Sequence, residues 1–339
     1  MGSDLKEIQS GTSRSKANFF LTEVDDDCSA ASFCEVIQGL KSRPKKISCK
    51  YFYDSEGSRL FDLICDVPEY YLTRTEAAIL DRHIGSILDR LGDDLCVIEP
   101  GAGSCLKVRI LLESGNVSYY MPLDVSKDHL RKSALKIAED FPGLSVHALA
   151  MDITNEIDRI EPLLPESRRR IIFYPGSSIG NFDPPAARRL LNQFCGLLRA
   201  GDMLLIGYDL IKDPAVLERA YDDPRGITAA FNLNLIARCN RELSANLDVD
   251  KFRHVAFYNK ALSRIEMHLE SRIAQETRIS GEIIRFDAFE RIHTESSYKY
   301  SISGFDEVAA GAGFEPAGAW TDTAQYFAVS LYEKRRFYV

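Results

Sequence analysis

A glycine turn follows an apolar segment near residue 100 and has the composition of a nucleotide-binding loop. It reads Ile98-Glu99-Pro100-Gly101-Ala102-Gly103-Ser104. Glycines at such a turn let the backbone approach a ligand that a Cβ atom would exclude. The third glycine of the dinucleotide fingerprint is missing, because position 106 is Leu106. The turn is therefore compatible with a nucleoside-containing ligand but departs from the full dinucleotide fingerprint.

Two acids end the next predicted strands at positions where they could bind such a ligand. Asp124 lies 25 residues after Glu99, where a carboxylate can accept hydrogen bonds from both ribose hydroxyls. Asp152 ends the following strand and is placed to meet an adenine amino group. This spacing favours a class I S-adenosylmethionine (SAM) methyltransferase over an NAD enzyme, with a tight turn that binds nothing as the alternative. The predicted cofactor-binding residues are Glu99, Gly101, Gly103, Lys107, Asp124 and Asp152.

The elements around this turn alternate between short apolar strands and amphipathic helices, which is typical of a parallel sheet covered on both faces. The helix after Pro184 and Pro185 carries an apolar stripe and ends before Gly201. A hairpin over residues 314–332 closes the sheet with an antiparallel last strand. We therefore predict an α/β fold with a doubly wound, Rossmann-like sheet. The predicted strands are 96–99, 118–123, 145–150, 170–174 and 203–208.

After Asp209 the alternation stops, which indicates a second module of α+β type. Two helices are predicted over residues 214–221 and 228–243. Strands are predicted over 253–258, 263–269 and 274–284.

Composition excludes several classes of function. The 339 residues carry a net charge of −8, which argues against a nucleic-acid or anionic membrane surface. No apolar run approaches the ~20 residues of a membrane span, and the N-terminus lacks a hydrophobic signal core. The eight cysteines are scattered without a Cys-x-x-Cys pair, which indicates structural thiols in a reducing, cytoplasmic compartment. The six histidines form no ligand cluster, so no metal is expected.

Several segments share their residue pattern with one enzyme family. The longest are Tyr51-Phe52-Tyr53-Asp54-x-x-Gly57-Ser58-x-Leu60-Phe61, Pro68-Glu69-Tyr70-Tyr71-x-Thr73-Arg74-Thr75-Glu76 and Phe173-Tyr174-Pro175-Gly176-Ser177-Ser178-Ile179-Gly180-Asn181. Shorter ones are Arg219-Ala220-Tyr221-Asp222-Asp223, Thr228-Ala229-Ala230-Phe231-Asn232, Ile265-Glu266-Met267-x-Leu269 and Thr294-Glu295-x-Ser297-x-Lys299. From about residue 17 onward, the chain resembles the histidine-specific SAM-dependent methyltransferases of ergothioneine biosynthesis.

The resemblance implies three successive methyl transfers from SAM to the α-amino nitrogen of L-histidine, giving trimethylhistidine (hercynine). By motif, Glu295 and Ser297 bind the imidazole ring, and Tyr53 is the catalytic residue near the accepting nitrogen. Phe61 and Met267 line the pocket. The amine and carboxylate of the substrate are assigned to Tyr70, Gly176, Asn181 and Tyr221.

Glu295 and Ser297 are residue types that suit an imidazole ring. A buried carboxylate prefers a ring with an N–H donor, because an apolar ring would leave the charge unpaired. Ser297 lies two residues further on, so it points to the same face of an extended segment and can bond to the second ring nitrogen. Without the resemblance, Glu295 would be read as a surface acid.

The resemblance also implies a substrate-binding domain that is discontinuous in sequence. We expect a SAM-binding domain over residues 75–208 and 299–339 and a substrate-binding domain over 17–74 and 209–298. Residues 1–16 are expected to be a flexible tail, and the protein is expected to act as a monomer on a small molecule.

Three alternatives remain open. A member of the same family could methylate a ring nitrogen of histidine or another aromatic amino acid. A protein that binds SAM or an amino acid without catalysis is disfavoured, because the residues assigned to the amine are intact. A nicotinamide oxidoreductase would need the glycine that Leu106 replaces.

Overall fold

The computed structural model describes residues 6–8, 18–23 and 28–335. Within them, the strands are β1 Lys6–Ile8, β2 Phe19–Glu23, β3 Lys45–Lys46, β4 Leu95–Pro100, β5 Val117–Asp124, β6 Ser145–Ala150, β7 Arg169–Tyr174, β8 Met203–Asp209, β9 Phe252–Asn259, β10 Arg264–Ser271, β11 Gln275–Ile279, β12 Glu282–Phe286, β13 Arg291–Tyr298, β14 Phe314–Thr321 and β15 Phe327–Lys334. The helices are α1 Cys28–Lys41, α2 Ser55–Cys65, α3 Leu72–Leu91, α4 Arg109–Leu112, α5 Lys127–Asp140, α6 Ile153–Glu156, α7 Pro184–Leu197, α8 Pro214–Tyr221, α9 Ile227–Glu242 and α10 Ile302–Ala310. None of these helices is long and apolar enough to cross a membrane.

The chain divides into two units by its contacts. The larger unit comprises Met1–Asp25, Leu72–Ile211 and Lys299–Val339, and the smaller one Asp26–Tyr71 and Lys212–Tyr298. The smaller unit is thus discontinuous in sequence. Its boundaries differ by a few residues from the predicted ones at 74/75 and 208/209.

The larger unit is built on a nine-stranded sheet in the order β1-β2-β6-β5-β4-β7-β8-β15-β14. Strands β2, β6, β5, β4, β7 and β8 run parallel, whereas the β14–β15 hairpin adds to β8 in the antiparallel sense. Strands β4 and β8 are buried along their whole length, because helices cover both faces of the sheet. The predicted class I methyltransferase fold, with its antiparallel last strand, is therefore confirmed.

The helix between β7 and β8 shows why the sequence pattern was informative. Asp183 caps α7 by accepting a hydrogen bond from the Ala186 N–H at 2.8 Å, and Pro184 fits the first turn. Its apolar stripe, which includes Leu190 and Phe194, is buried, and the Phe194 ring lies 5.2 Å from the ring of Tyr174 on β7. A period of 3.6 residues and a cap are local signals, so the helix was predictable without tertiary information.

The smaller unit contains a four-stranded sheet in the order β3-β13-β10-β9 and the separate hairpin β11–β12. Helices α8 and α9 pack against β9 and β10. The strand expected over residues 274–284 was wrong as a single element. The chain reverses at Ser280 and Gly281, which both have positive φ, and forms the β11–β12 hairpin.

Two expectations for the N-terminal part were also wrong. Lys6–Ile8, within the expected tail, pairs with β2, while the rest of residues 1–16 lies outside the described residues. Phe19–Glu23, expected in the substrate-binding domain, joins the large sheet beside β6, where Thr22 hydrogen-bonds His147 at 2.8 Å. Strand pairing of this kind depends on backbone hydrogen bonds between distant segments and leaves little periodic signal in the sequence.

Candidate active site

The glycine turn after β4 faces open space in the larger unit. Gly101 and Gly103 have φ values of +68° and +51°, and no atom lies within 4 Å of the position that a Cβ would take at either residue. The Gly103 N–H donates to Asp124 Oδ2 at 2.9 Å. The turn is thus fixed in a conformation that suits glycine, and a ligand can approach its backbone.

Asp124 and Asp152 lie at the carboxyl ends of adjacent strands. Asp124 also accepts a hydrogen bond from the Ser126 N–H at 2.8 Å. Burial raises the pKa of Asp124, although these backbone hydrogen bonds oppose the shift. Asp152 caps α6, because its Oδ1 accepts from the Thr154 N–H at 2.9 Å. Each carboxylate oxygen has two lone pairs, so such contacts leave capacity for a ligand.

Glu99 is buried at the end of β4. Its carboxyl accepts a hydrogen bond from the Tyr120 hydroxyl, yet burial raises the pKa of Glu99 to about 8. Lys107 lowers this pKa through its positive charge, whereas Glu76 and Asp124 raise it further. Two further acids and a lysine, Glu76, Asp124 and Lys107, therefore lie close enough to Glu99 to shift its pKa.

A second turn in the larger unit, after β7, contains Gly176 and Asn181. Gly176 has a φ of +86°, and its N–H donates to Glu76 at 2.9 Å. The next residue, Ser177, accepts a hydrogen bond from the Asp209 N–H at 3.0 Å. Asn181 ends the short 3-10 helix Ser178–Asn181 that follows. Both predicted residues are thus held on a turn fixed from two sides.

The sheet of the smaller unit brings Glu295 and Ser297 to one face. They pair across β10 with Met267 and Ile265, respectively. The register then shifts, and Thr294 donates to the Met267 carbonyl at 3.0 Å. A bulge of this kind re-aims the residues next to it. The alternation argument for residues 295 and 297 is therefore correct, and Met267 lies opposite Glu295 on β10.

Tyr221 and Tyr70 lie close to this pair. The Tyr221 hydroxyl and Ser297 Oγ are hydrogen-bonded at 2.8 Å. Burial raises the pKa of Tyr70 well above its usual value, and the neighbouring Tyr221 and Glu295 add to the shift. Tyr70 is therefore a neutral phenol at physiological pH, and its hydroxyl can both donate and accept.

Aromatic rings link Tyr53 to the same cluster. Tyr53 contacts Phe61 edge-on with 5.7 Å between ring centroids, and Phe61 contacts Tyr70 at 6.3 Å. Phe231, on α9, contacts both Tyr53 and Phe61 at 6.0 Å. The predicted residues of the smaller unit thus form one continuous group around Tyr70.

Sequence reasoning missed residues that hold this group in place. His254 donates through Nε2 to the Tyr221 carbonyl at 2.9 Å, and its Nδ1 accepts from Asn232 at 2.8 Å. Burial lowers the pKa of His254, in keeping with a neutral ring that donates on one side and accepts on the other. Asn232 and Phe231 belong to the segment 228–232, so the motif signalled them without giving their roles. Glu76 was likewise present in a motif but received no role.

The residues of the larger unit fit SAM as a ligand. The open glycine turn can take its backbone contacts, Asp124 can accept from ribose hydroxyls, and Lys107 can pair with a carboxylate. Within the described part of the chain, no group of three or more His, Cys, Asp or Glu residues is arranged to hold a metal ion.

Comparison with known proteins agrees with this geometry. The profile of the family described as "Histidine-specific methyltransferase, SAM-dependent" matches residues 33–334. Histidine N-alpha-methyltransferase of Mycobacterium tuberculosis is 39% identical, covering 88% of this chain and 94% of its own. The protein of the same description from Mycolicibacterium smegmatis is 39% identical, covering 90% and 96%. Ergothioneine biosynthesis protein 1 of Neurospora crassa is 29% identical, covering 84% of this chain and 33% of its own.

A profile match over most of the chain, on a class I sheet with an open glycine turn, leaves one assignment. The chain belongs to the histidine-specific, SAM-dependent methyltransferases.

Proposed function

We propose that the protein methylates the α-amino nitrogen of L-histidine three times with SAM, giving hercynine. The observation that carries the proposal is the placement of Glu295 and Ser297 on one face of β13, with Ser297 bonded to Tyr221. The relatives described as histidine N-alpha-methyltransferases and as an ergothioneine biosynthesis protein support the same reaction.

In this proposal the imidazole ring is recognised at both nitrogens. Glu295 accepts a hydrogen bond from the ring N–H, and Ser297 donates to the other nitrogen. The Tyr221 hydroxyl can donate to Ser297 Oγ, which leaves the serine hydroxyl hydrogen to point at the ring. A neutral imidazole offers this pair one donor and one acceptor, whereas an apolar ring offers neither.

The transferred group is the electrophilic methyl on the positively charged sulfur of SAM. The chain must hold the histidine amine neutral and in line with that methyl, because an ammonium has no lone pair to attack with. A positive charge next to the amine favours its deprotonated form. Tyr53 is proposed to relay the amine proton, directly or through water, because its hydroxyl can accept that proton while it passes its own proton on to solvent. Tyr70 remains a neutral hydrogen-bonding phenol.

Alignment supplies most of the rate acceleration in such a displacement. Effective molarities of well-oriented groups correspond to about 7–11 kcal/mol of the barrier. Gly176, Asn181, Tyr70 and Tyr221 are proposed to bind the amine and carboxylate of histidine, with Phe61 and Met267 lining the pocket. Because the same nitrogen is methylated three times, these residues must also accommodate an amine that carries one more methyl group after each transfer.

We further propose that the larger unit binds SAM and the smaller one contributes the groups that bind the ring. Glu99, Gly101, Gly103, Lys107, Asp124 and Asp152 are proposed to hold SAM. A cytoplasmic location and a monomeric state are also proposed. The cytoplasmic location rests on the cysteines with described side chains, none of which is in a disulfide.

The deciding experiment is mass spectrometry of products after incubation of the protein with SAM and each of histidine, tryptophan and tyrosine. The expected product arises from histidine alone, is heavier by about 42 mass units, and fragments with all three methyls on the α-nitrogen. A methyl on the ring, or turnover of another amino acid, would contradict the proposed substrate pose. Binding of SAM without any turnover would favour a non-catalytic binding protein.

A further inference from the structure

Glu76 is a buried acid that the proposed reaction does not use. It lies on α3 with 1% of its surface exposed, so its charge is removed from water. Its Oε2 pairs with Lys107 Nζ at 2.5 Å. Both oxygens also accept the Gly176 N–H, at 3.0 and 2.9 Å. A carboxylate buried this deeply requires such partners.

The surrounding backbone is shaped to leave room for this carboxylate. A Cβ at Gly207, on β8, would lie 1.8 Å from Glu76 Oε1. A Cβ at Gly176 would lie 3.2 Å from Lys107 Nζ, and the φ of +86° there disfavours any other residue. Two glycines on different elements therefore make the contact between Glu76 and Lys107 sterically feasible.

Stability alone is a weak reason for such an arrangement. The attraction within a buried ion pair roughly offsets the cost of removing both charges from water. The two partners are also unequally buried, since the Lys107 side chain is 18% exposed and that of Glu76 only 1%. The Lys107 side chain is thus partly open to solvent, and its ammonium has two N–H donors besides the one that meets Glu76.

We propose that Glu76 is a positioning residue for cofactor binding, holding the Lys107 ammonium in the orientation that binds the carboxylate of SAM. This inference rests on the proposed role of Lys107 in SAM binding and not on the identity of the methyl acceptor. Glu76 itself touches neither the cofactor nor the acceptor in this proposal.

The test is a double-mutant cycle on the full-length protein with Glu76→Gln, Lys107→Met and the double variant. Glutamine keeps an oxygen for the Gly176 N–H and removes the charge that faces Lys107. The dissociation constants of SAM, S-adenosylhomocysteine and 5′-methylthioadenosine are measured by calorimetry. The last of these keeps the nucleoside and the thioether and lacks the amino-acid carboxylate.

If Glu76 acts through Lys107, Glu76→Gln raises the dissociation constants of S-adenosylhomocysteine and SAM by about tenfold. The dissociation constant of 5′-methylthioadenosine then changes by less than about twofold. The double variant then binds no more weakly than Lys107→Met alone. Additive losses, or an equal loss for 5′-methylthioadenosine, would show that Glu76 only supports the fold. Asp202→Asn is the matched control, because Asp202 is a buried acid before β8 whose carboxylate accepts from the backbone N–H groups of Arg170 and Arg199.

The control variant Asp202→Asn is expected to lose thermal stability. The ratio between its dissociation constants for S-adenosylhomocysteine and 5′-methylthioadenosine should not change. If Glu76→Gln does not fold, Lys107→Met still decides, since unchanged S-adenosylhomocysteine binding in that variant overturns the inference. If the double-mutant cycle shows the expected coupling but the protein does not methylate histidine, only the proposed function is overturned. Additive losses together with normal histidine trimethylation would overturn this inference alone.

Discussion

Glu295 carries the choice of substrate in the proposed reaction, because it is the charged group on the face of β13 that holds Ser297. A hydrogen bond to a charged group contributes about 1.5–3 kcal/mol. Ser297 and Tyr221 are already bonded to each other, so the second contact to the ring is held in place before the substrate arrives. In the proposed reaction the two residues therefore differ in role, with Glu295 selecting the ring and Ser297 orienting it.

Glu295→Ala should lower kcat/KM for histidine by about 10- to 100-fold, because one charged hydrogen bond to the ring is lost. The dissociation constant of SAM should stay within about twofold, since Glu295 belongs to the smaller unit. Initial rates and calorimetry measure the two quantities. Glu276→Ala removes an acid on β11 that pairs with Arg285, and it serves as the control. Equal losses of histidine use and SAM binding would contradict the specificity role.

At the scale of elements, the start of α2 explains the spacing of the segment that contains Tyr53. Asp54 caps α2 by accepting the Gly57 N–H at 2.6 Å, and it also accepts from Asn234 at 2.8 Å. Burial of Asp54 opposes ionisation, but these hydrogen bonds and Arg241 together lower its pKa. Gly57 is required because a Cβ there would lie 1.7 Å from the Phe52 carbonyl oxygen.

Gly57→Ala should therefore destabilise the protein by about 1–3 kcal/mol, since backbone must move to admit the methyl group. Gly85→Ala on α3 should instead stabilise it by about 0.5–1 kcal/mol, because alanine favours helix and no atom lies within 4 Å of the new Cβ. Chemical denaturation measures both. Equal effects of the two substitutions on the free energy of unfolding would show that the backbone at Phe52 moves away from the new Cβ without loss of stability.

Strands β10 and β13 carry a histidine pair on the face opposite Glu295. His268 and His293 pair across the strands, and their ring centroids are 5.2 Å apart. Burial lowers the pKa of His293 to about 4, and the neighbouring His268 contributes. Burial also lowers the pKa of His268, against the effect of its hydrogen bond to Glu266.

The free energy of unfolding should consequently fall as the pH decreases from about 6.5 to about 4. In this window the unfolded chain binds protons on these histidines that the folded chain does not, so acid favours unfolding. The expected contribution of His293 is about 1–3 kcal/mol. Denaturation at several pH values measures it, and His293→Asn should reduce the slope. An unchanged slope in that variant would contradict the assignment.

At the scale of the whole molecule, a buried ion pair marks where the chain leaves and re-enters the larger unit. Asp209 ends β8 shortly before the chain passes to the smaller unit at Lys212, and Lys299 is the first residue after its return. Lys299 Nζ lies 2.9 Å from Asp209 Oδ2, and both side chains are fully buried. The backbones are paired as well, through the Leu210–Tyr300 bridge.

Lys299→Met should destabilise the protein by about 3–5 kcal/mol, because it leaves the Asp209 charge buried without its partner. The double substitution Lys299→Met with Asp209→Leu should recover most of that loss, since the buried Asp209 carboxylate is then removed together with the Lys299 ammonium. Thermal and chemical unfolding of the three variants measure the effect. A double variant as unstable as the single one would indicate that the packing of the two side chains, and not the pairing of their charges, determines the stability.

Local patterns in the sequence were sufficient for most of the larger unit. Five of the six parallel strands, β4 to β8, and the helix α7 follow from apolar runs, caps and helical periodicity, which act over a few residues. The glycine turn at 101–103 followed from its composition, and the positive φ values bear this out. The family assignment followed from motifs that are continuous in sequence.

The remaining features depend on segments far apart in the chain, so only the tertiary structure could decide them. The pairing of Phe19–Glu23 with β6, and the bulge at Thr294, are set by partners on other strands. The carboxylate of Glu76 accepts a hydrogen bond from Gly176 and occupies space that a side chain at position 207 would fill. Both glycines lie 100 or more residues away in the sequence. The sequence by itself thus determined which chemistry the chain carries. The fold decided which side chains hold that chemistry in place, because burial and hydrogen-bond partners are properties of contacts and not of residue types.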